Sequence, residues 1–280
     1  MMKTTTAPQT NLESLRQKVR DLRGRLVEMS HASGAPHLGG ALSCAEIMIC
    51  TYWHALRIDP KDPLNPLRDR FILSKGHAAT ALYATLAGRG FFDPAMLDHF
   101  AEDGGCLPEQ PGLQCVPGVE AATGSLGHGL SLALGMALAG RIQKQSYRCF
   151  TLLSDGECQE GSVWEAALFA PVHQLDNVVA IVDYNKWQAT GRSNEVTALS
   201  PLRQKWESFG WSAYEVDGHD VGALTNVLGQ VPDGTGKPIA IIANTIKGKG
   251  ISFMEDDNNW HYRIPTADEV KLARKELGLP

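Results

Sequence analysis

The chain has 280 residues, 43% of them apolar, and a formal net charge of -5 at neutral pH, enough for one large or two small domains with a substantial core. Acidic and basic residues are interspersed without a basic stripe, which argues against nucleic acid as a partner, and the sequence contains neither a membrane-spanning apolar run nor, at its start, the apolar centre of a signal peptide. Six cysteines at positions 44, 50, 106, 115, 149 and 158 form no CxxC pair, so the expectation is reduced thiols in a cytoplasmic protein and no zinc site.

Residues 1–10 read as a flexible tail. LESLRQKVRDLRGRLVEMSHAS (12–33) predicts an amphipathic helix, with Leu15, Val19, Leu22, Leu26 and Met29 on one stripe. CAEIMICTYWHAL (44–56) predicts a second, more buried helix, and DPKDPLNPLRD (59–69) a proline-rich loop. Short apolar runs then alternate with longer helical ones. The strand candidates are RFILS, RCFTLLS, NVVAIVD, WSAYEVD and PIAIIANTI; the helix candidates are AATALYATLAG, GLSLALGMALAGRIQ, VWEAALFAPVHQL and ALTNVLGQV. Near-continuous apolar strands alternating with helices indicate a doubly wound parallel sheet with helices on both faces. No repeat, low-complexity tract or linker interrupts the pattern, so residues 11–280 are expected to form one α/β domain.

In such sheets ligands bind outside the carboxyl ends of the strands. FILS ends in Lys75-Gly76-His77, TLLS in Asp155-Gly156, VAIVD in Tyr184-Asn185, and IIANTI in Lys247-Gly248-Lys249-Gly250. Ser162 and Glu165 form a capping-box pattern, predicting a helix from Ser162 to about Gln174 between the second and third of these strands. Strand, helix and strand make a unit of roughly 30 residues, the size of a βαβ crossover. If the two strands are neighbours, about 4.8 Å apart, Asp155 and Asn185 emerge side by side. Two hard oxygen ligands beside a glycine-opened turn suit Mg²⁺, which completes its shell with phosphate oxygens and water, and Gly156 lets the backbone approach a phosphate. Taken singly, Asp155-Gly156 and Asn185 are ordinary turn-formers; it is their joint spacing that points to a metal.

At these residues the sequence resembles the transketolase family, in its thiamine diphosphate-binding N-terminal part. SDGECQEGSVWEAALFAPVHQLDNVVAIVDYN, DRFILSKGHAATALYA, PGVEAATGSLGHGLSLALGMALAG and NTIKGKGISFMEDDNNWHYR look like family blocks over about residues 12–275. The resemblance implies that Asp155, Asn185 and the Trp187 carbonyl bind Mg²⁺. It also implies that Gly156, Glu157, Asn185, His77, Lys247 and His261 lie against the diphosphate, and Gly124, Ser125 and Leu126 against the aminopyrimidine. His77 and His261 then face the reacting carbons, His37 and Gln110 the substrate, and Glu160 a subunit interface and proton network. His31, His54, His99 and His173 read as ordinary surface or core histidines, and His128 and His219 receive no chemical role. Three departures stand out: Ser154 replaces the first glycine of the cofactor motif, Ala35-Pro36 replaces Ser-Gly, and Gln110 stands where a substrate-binding histidine is usual.

A full-length transketolase continues into two further domains. The resemblance therefore implies the N-terminal subunit of a split enzyme that transfers a two-carbon ketol unit from a ketose, typically a sugar phosphate, to an aldose. The expected partner is a separate C-terminal subunit in an α2β2 assembly. Two alternatives stay open: the α subunit of a 2-oxo acid dehydrogenase, and a non-catalytic module that keeps the cofactor fold.

Overall fold

The structure, a computed structural model, describes residues 11–280; the flexible tail expected over residues 1–10 lies outside them. Helix α1 (Leu12–Ser33) begins at Asn11, whose side chain accepts from Ser14 N at 3.2 Å, and buries the predicted Leu15–Met29 stripe. The second helix differs from expectation. It starts earlier, as α2 (Leu38–Ser43), breaks at Cys44, and resumes as α3 (Ala45–Cys50) with a π-helical last turn over Thr51–Ala55. Gly39 and Gly40 conceal the start, since glycine is a poor helix former; tertiary packing under the strand ends overrides that preference.

After these come β1 (Arg70–Leu73), α4 (Ala79–Arg89), α5 (Gly129–Ile142), β2 (Cys149–Ser154), α6 (Gly161–Val172) and β3 (Val178–Tyr184). A two-residue antiparallel ribbon, β4 (Trp187–Gln188) with β5 (Gly191–Arg192), leads through α7 (Ser193–Val196) and α8 (Leu202–Ser208) to β6 (Ser212–Asp217). The chain ends with α9 (Val221–Gly229), β7 (Ile239–Asn244) and α10 (Ala267–Glu276). All five expected strands form, in one parallel sheet of order β1-β2-β3-β7-β6.

Alternation along each strand explains the continuous apolar runs. Phe71, Leu73, Phe150, Leu152, Val179, Ile181, Ile239 and Ile241 pack into a cluster with α1, α3, α4 and α9. Their in-between neighbours Ile72, Leu153, Val178, Ala180, Val182, Ala240 and Ile242 pack into a second cluster with α5, α6 and α8. A side-chain period of two places each half of a strand on its own face, and both faces are covered. Edge strand β6 keeps Tyr214, Glu215 and Asp217 at least partly exposed.

The capping box expected at Ser162 does not form. Helix α6 starts one residue earlier, with Glu160 at its N-cap making no side-chain bond, and ends at Val172 rather than Gln174. The Ser162 hydroxyl instead donates to Gly127 O at 3.0 Å, tying α6 to the loop before α5. A full capping box does occur at Thr266 and Glu269, opening α10. Among the described residues no helix is long and apolar enough to cross a membrane.

Candidate active site

The register Ser154↔Asp183 and Asp183↔Ala243 brings the ends of β2, β3 and β7 level. Beyond them opens a cleft of about 420 Å³, lined among others by His37, His77, Gln110, Asn185, Lys247 and His261. The four strand-end motifs thus converge, as the placement rule for parallel sheets predicts.

Asp155, between the cleft-lining Ser154 and Gly156, is fully buried. Its Oδ2 accepts from Lys186 N at 2.7 Å and Ser193 Oγ at 2.9 Å, and Oδ1 from Gly156 N at 3.0 Å. All three donors are neutral, and among the described residues no lysine or arginine forms an ion pair with it. Burial, reinforced by the nearby Asp183 carboxylate, pushes its carboxyl up to about 7. Asn185, also buried, sends Nδ2 to Asp183 Oδ2 and Ser43 Oγ, both at 3.3 Å, while Oδ1 accepts from Trp187 N at 3.0 Å.

Three histidines face one another across the cleft. The His37 and His261 ring centroids are 4.8 Å apart, His37 and His77 5.5 Å, and His77 and His261 6.0 Å. Burial lowers all three. For His77 the Lys75 charge adds to it, taking the ring well below the usual range; for His261 the Lys247 charge does so, down to about 3. All three imidazoles are therefore neutral near pH 7. Lys247 Nζ donates to Asn258 Oδ1 at 2.7 Å and lies 3.0 Å from His261 Nδ1. Because an ammonium only donates, Nδ1 accepts and the His261 proton resides on Nε2. Burial and the Lys75 charge bring Lys247 down to about 8.

His37 reaches this cluster from the N-terminus of α2, in the left-handed region at φ 72°, with its N–H donating to His261 O at 2.8 Å. Gly124 and Leu126 line the cleft, whereas Ser125 lines an adjoining open pocket together with His128. Gly124 adopts φ 145°, and a Cβ there would lie 1.7 Å from the Gln110 amide oxygen, so loop and glutamine share one wall. Gln110 is exposed at the cleft mouth. Gly156 lies under Gln188, whose Cβ would be 3.0 Å from an added one. The Glu157 side chain turns inward: it accepts from Ser74 Oγ, from Gly127 N at 2.8 Å and from Ser154 N at 3.1 Å. Glu160 is exposed on the rim. Trp187 sits at the mouth, its Nε1 donating to Asp256 Oδ1 at 2.8 Å under the Arg192 guanidinium, 3.8 Å from the ring centre. None of His31, His54, His99 or His173 lines the cleft. His219 packs behind it, with Nε2 accepting from Ile246 N at 2.8 Å and Nδ1 3.1 Å from Glu46.

Sequence reading missed the supports. Ser193 arrives from the far end of the β4–β5 ribbon, and nothing local marks it. Asp183 and Lys75 form a fully buried ion pair at 2.6 Å. For Asp183 burial raises the carboxyl, but Lys75, Ser43 and Thr245 outweigh it and hold it below the ordinary range. The available signal was a charged residue closing an otherwise apolar strand, in VAIVD.

A buried carboxylate with no ion-pair partner among the described residues, and an amide oxygen at the neighbouring strand end, fit a hard divalent ion. Among the described residues no cluster of three or more His, Cys, Asp or Glu is arranged to hold a metal, so an ion here would rely on one carboxylate with amide and carbonyl oxygens. Residues 15–280 match the family described as transketolase, thiamine diphosphate binding domain. The chain is 39% identical over 267 residues to one subunit of the apulose-4-phosphate transketolase of Phocaeicola vulgatus, covering 95% of each chain. It is 42% identical over 244 residues to the 6-deoxy-6-sulfo-D-fructose transketolase subunit SqwG of a Clostridium species, covering 87% of this chain and 89% of the relative. The crystal structure of transketolase from Campylobacter jejuni superposes with a TM-score of 0.90 at 28% identity, over 96% of this chain but 43% of that one. The chain thus spans nearly all of the subunit-type relatives and less than half of the single-chain enzyme. By family match and relatives alike, it belongs to the transketolase family of transferases, as the N-terminal, thiamine diphosphate-binding part.

Proposed function

We propose that this chain is the cofactor-binding subunit of a two-chain transketolase, a single cytoplasmic domain over residues 11–280. It works with a separate subunit carrying the remaining domains, in an α2β2 assembly. The observation that carries this reading is the meeting of Asn185, Lys247 and three neutral histidines on one cleft at the strand ends, with the buried Asp155 between two of its lining residues, Ser154 and Gly156. The reduced state of all six cysteines fits the compartment.

Asp155, Asn185 and the Trp187 carbonyl would hold Mg²⁺, giving the buried carboxylate a direct cationic partner. Gly156, Glu157 through its backbone, Lys247, His77 and His261 would lie along the diphosphate, and the Gly124-Ser125-Leu126 loop against the pyrimidine. Bound there, thiamine diphosphate supplies the electron sink that lets a carbon–carbon bond beside a ketose carbonyl break and re-form. The chain's own residues orient and move protons. His261, with Nδ1 held by Lys247, presents Nε2–H, and His37 and His77, neutral and within about one ring's reach, accept or return protons on substrate hydroxyls. Glu160 on the rim would meet the partner subunit. Which ketose and aldose are used depends on the mouth of the cleft, where Gln110 replaces the usual histidine.

The test is reconstitution. The isolated chain with saturating thiamine diphosphate and Mg²⁺ should show no ketol transfer, and adding the partner subunit should restore it. Robust turnover by the chain alone overturns the split-enzyme reading.

A further inference from the structure

Beyond the effect of the Lys75 charge on His77 and Lys247, the most buried ion pair among the described residues takes no direct part in the chemistry above. Lys75, just after β1, and Asp183, near the end of β3, are both fully buried and meet at 2.6 Å. Desolvation offsets most of the attraction in such a pair, and well-packed apolar residues often serve a core as well or better. Its neighbours point to another use. Asp183 Oδ2 takes Lys75 Nζ, Ser43 Oγ at 2.5 Å and Asn185 Nδ2 at 3.3 Å, while Oδ1 takes Thr245 Oγ1. The Ser43 oxygen is the second acceptor for Asn185 Nδ2, at 3.3 Å. Both contacts of the amide nitrogen therefore come from this knot. The oxygen end faces away, accepts only from Trp187 N, and keeps a lone pair free.

We propose that the Lys75–Asp183 pair is a positioning device for Asn185, drawing the nitrogen end of the carboxamide inward and leaving the oxygen end for a divalent cation. The inference rests on the reading that Asp155 and Asn185 hold a metal–diphosphate group. Turning the amide over would set Oδ1 against the buried Asp183 carboxylate, acceptor against acceptor. Lys75 holds that carboxylate in place and also donates to Gly40 O at 2.8 Å, so the pair locks the ends of β1 and β3 to α2, the helix that presents His37. Asp183 acts through Asn185 and is a positioning residue.

The test uses the chain assembled with its partner subunit. Mg²⁺ is titrated in the presence of thiamine diphosphate and followed by calorimetry and by intrinsic tryptophan emission, Trp187 lying at the cleft mouth. Asp183→Asn removes the charge with little change of volume and should weaken Mg²⁺ by about 10- to 100-fold, the range seen when residues that orient metal ligands are lost. Adding Asn185→Asp swaps acid and amide. A carboxylate offers oxygen whichever way it turns, so the swapped chain should regain most of the lost affinity. Wild-type Mg²⁺ binding in folded Asp183→Asn, or a swap as weak as Asp183→Asn, overturns the proposal. If Asp183→Asn does not fold, Ser43→Ala takes its place: a measurable loss of Mg²⁺ affinity supports the proposal and unchanged binding overturns it. Failure of the underlying reading has its own signature, because Asp155→Ala would then also bind Mg²⁺ like wild type.

Discussion

Two buried aspartates flank the same sheet at opposite ends and meet opposite fates. Asp69, immediately before β1, is gripped by two guanidinium groups: Oδ1 by Arg57 Nη2 at 2.8 Å and Oδ2 by Arg148 Nη2 at 2.6 Å, with the backbone N–H groups of both arginines added at 2.8 Å. Burial raises its carboxyl, but Arg57 and Arg148 outweigh that and hold it below the ordinary range. Asp155, immediately after β2, is just as buried but receives only neutral donors and is pushed up to about 7. The first end is electrostatically closed and serves the fold; at the second, the carboxylate has no ion-pair partner among the described residues. The strand direction decides which is which, because crossover loops at the carboxyl ends leave a cavity.

Removing each acid is the sharpest way to break this contrast. Asp69→Ala leaves two guanidiniums facing a hole and should cost ~3–5 kcal/mol of stability, with the cofactor affinity of the folded protein unchanged. Asp155→Ala should leave the cofactor-free protein at least as stable as wild type, yet weaken Mg²⁺-dependent cofactor binding more than about 100-fold, beyond what losing an orienting residue costs. Thermal unfolding and calorimetry on both variants check this, and equal behaviour of the two would erase the distinction.

Lys247 extends the contrast, since its charge faces the cleft whereas Arg148 is committed to Asp69. Lys247→Met should cost cofactor binding about 1.5–3 kcal/mol, roughly 10- to 100-fold, the worth of a hydrogen bond to a charged group, with little change in melting temperature. An unaltered thiamine diphosphate affinity would place the diphosphate elsewhere.

Acidity provides a graded test. Below a pH of about 7 folded Asp155 carries a proton; if Mg²⁺ binds there as proposed it would have to displace that proton, so Mg²⁺ affinity should fall by about tenfold per pH unit below that pH and level off above it. In stability terms, Asp155 binds a proton when folded, at pH values between its unfolded and folded pKa, that it does not bind when unfolded. Its contribution therefore favours folding at low pH and is lost as pH rises through about 7. Asp155→Asn should accordingly gain on wild type in melting temperature as pH is raised from about 5 to about 8 without divalent ions. The lowered histidines act in the opposite sense, losing stability below about 6.5, but are common to both proteins. A pH-independent gap would deny Asp155 its perturbed environment.

The smallest effect belongs to the rim. Gln110 is exposed at the mouth and offers both donors and acceptors without titrating. Gln110→His, assayed in the assembled enzyme by kcat/KM over xylulose 5-phosphate and a panel of other ketoses, should reorder the ranking by about tenfold or less. An unchanged ranking means that Gln110 does not set specificity.

Much of the fold and of the cleft is legible in the residues alone. The apolar runs announce strands covered on both faces, and Asp155, Asn185, His77 and Lys247 stand at their ends. The failures share a cause. Ser162 looks like a capping residue because its spacing to Glu165 is right, but the Gly127 carbonyl claims its hydroxyl. The glycines of α2 look like loop, yet packing makes them helix.

Local periodicity and the residues at strand ends were determined by the sequence itself, because side-chain alternation and turn chemistry depend on near neighbours. Strand order β1-β2-β3-β7-β6, the approach of His37 from α2, the Ser193 hydroxyl on Asp155, and the Lys75–Asp183 knot were decided only by the tertiary structure. The groups in these contacts lie tens of residues apart along the chain. Only the packing of helices on both faces of the sheet sets the distances on which their charges and hydrogen bonds depend.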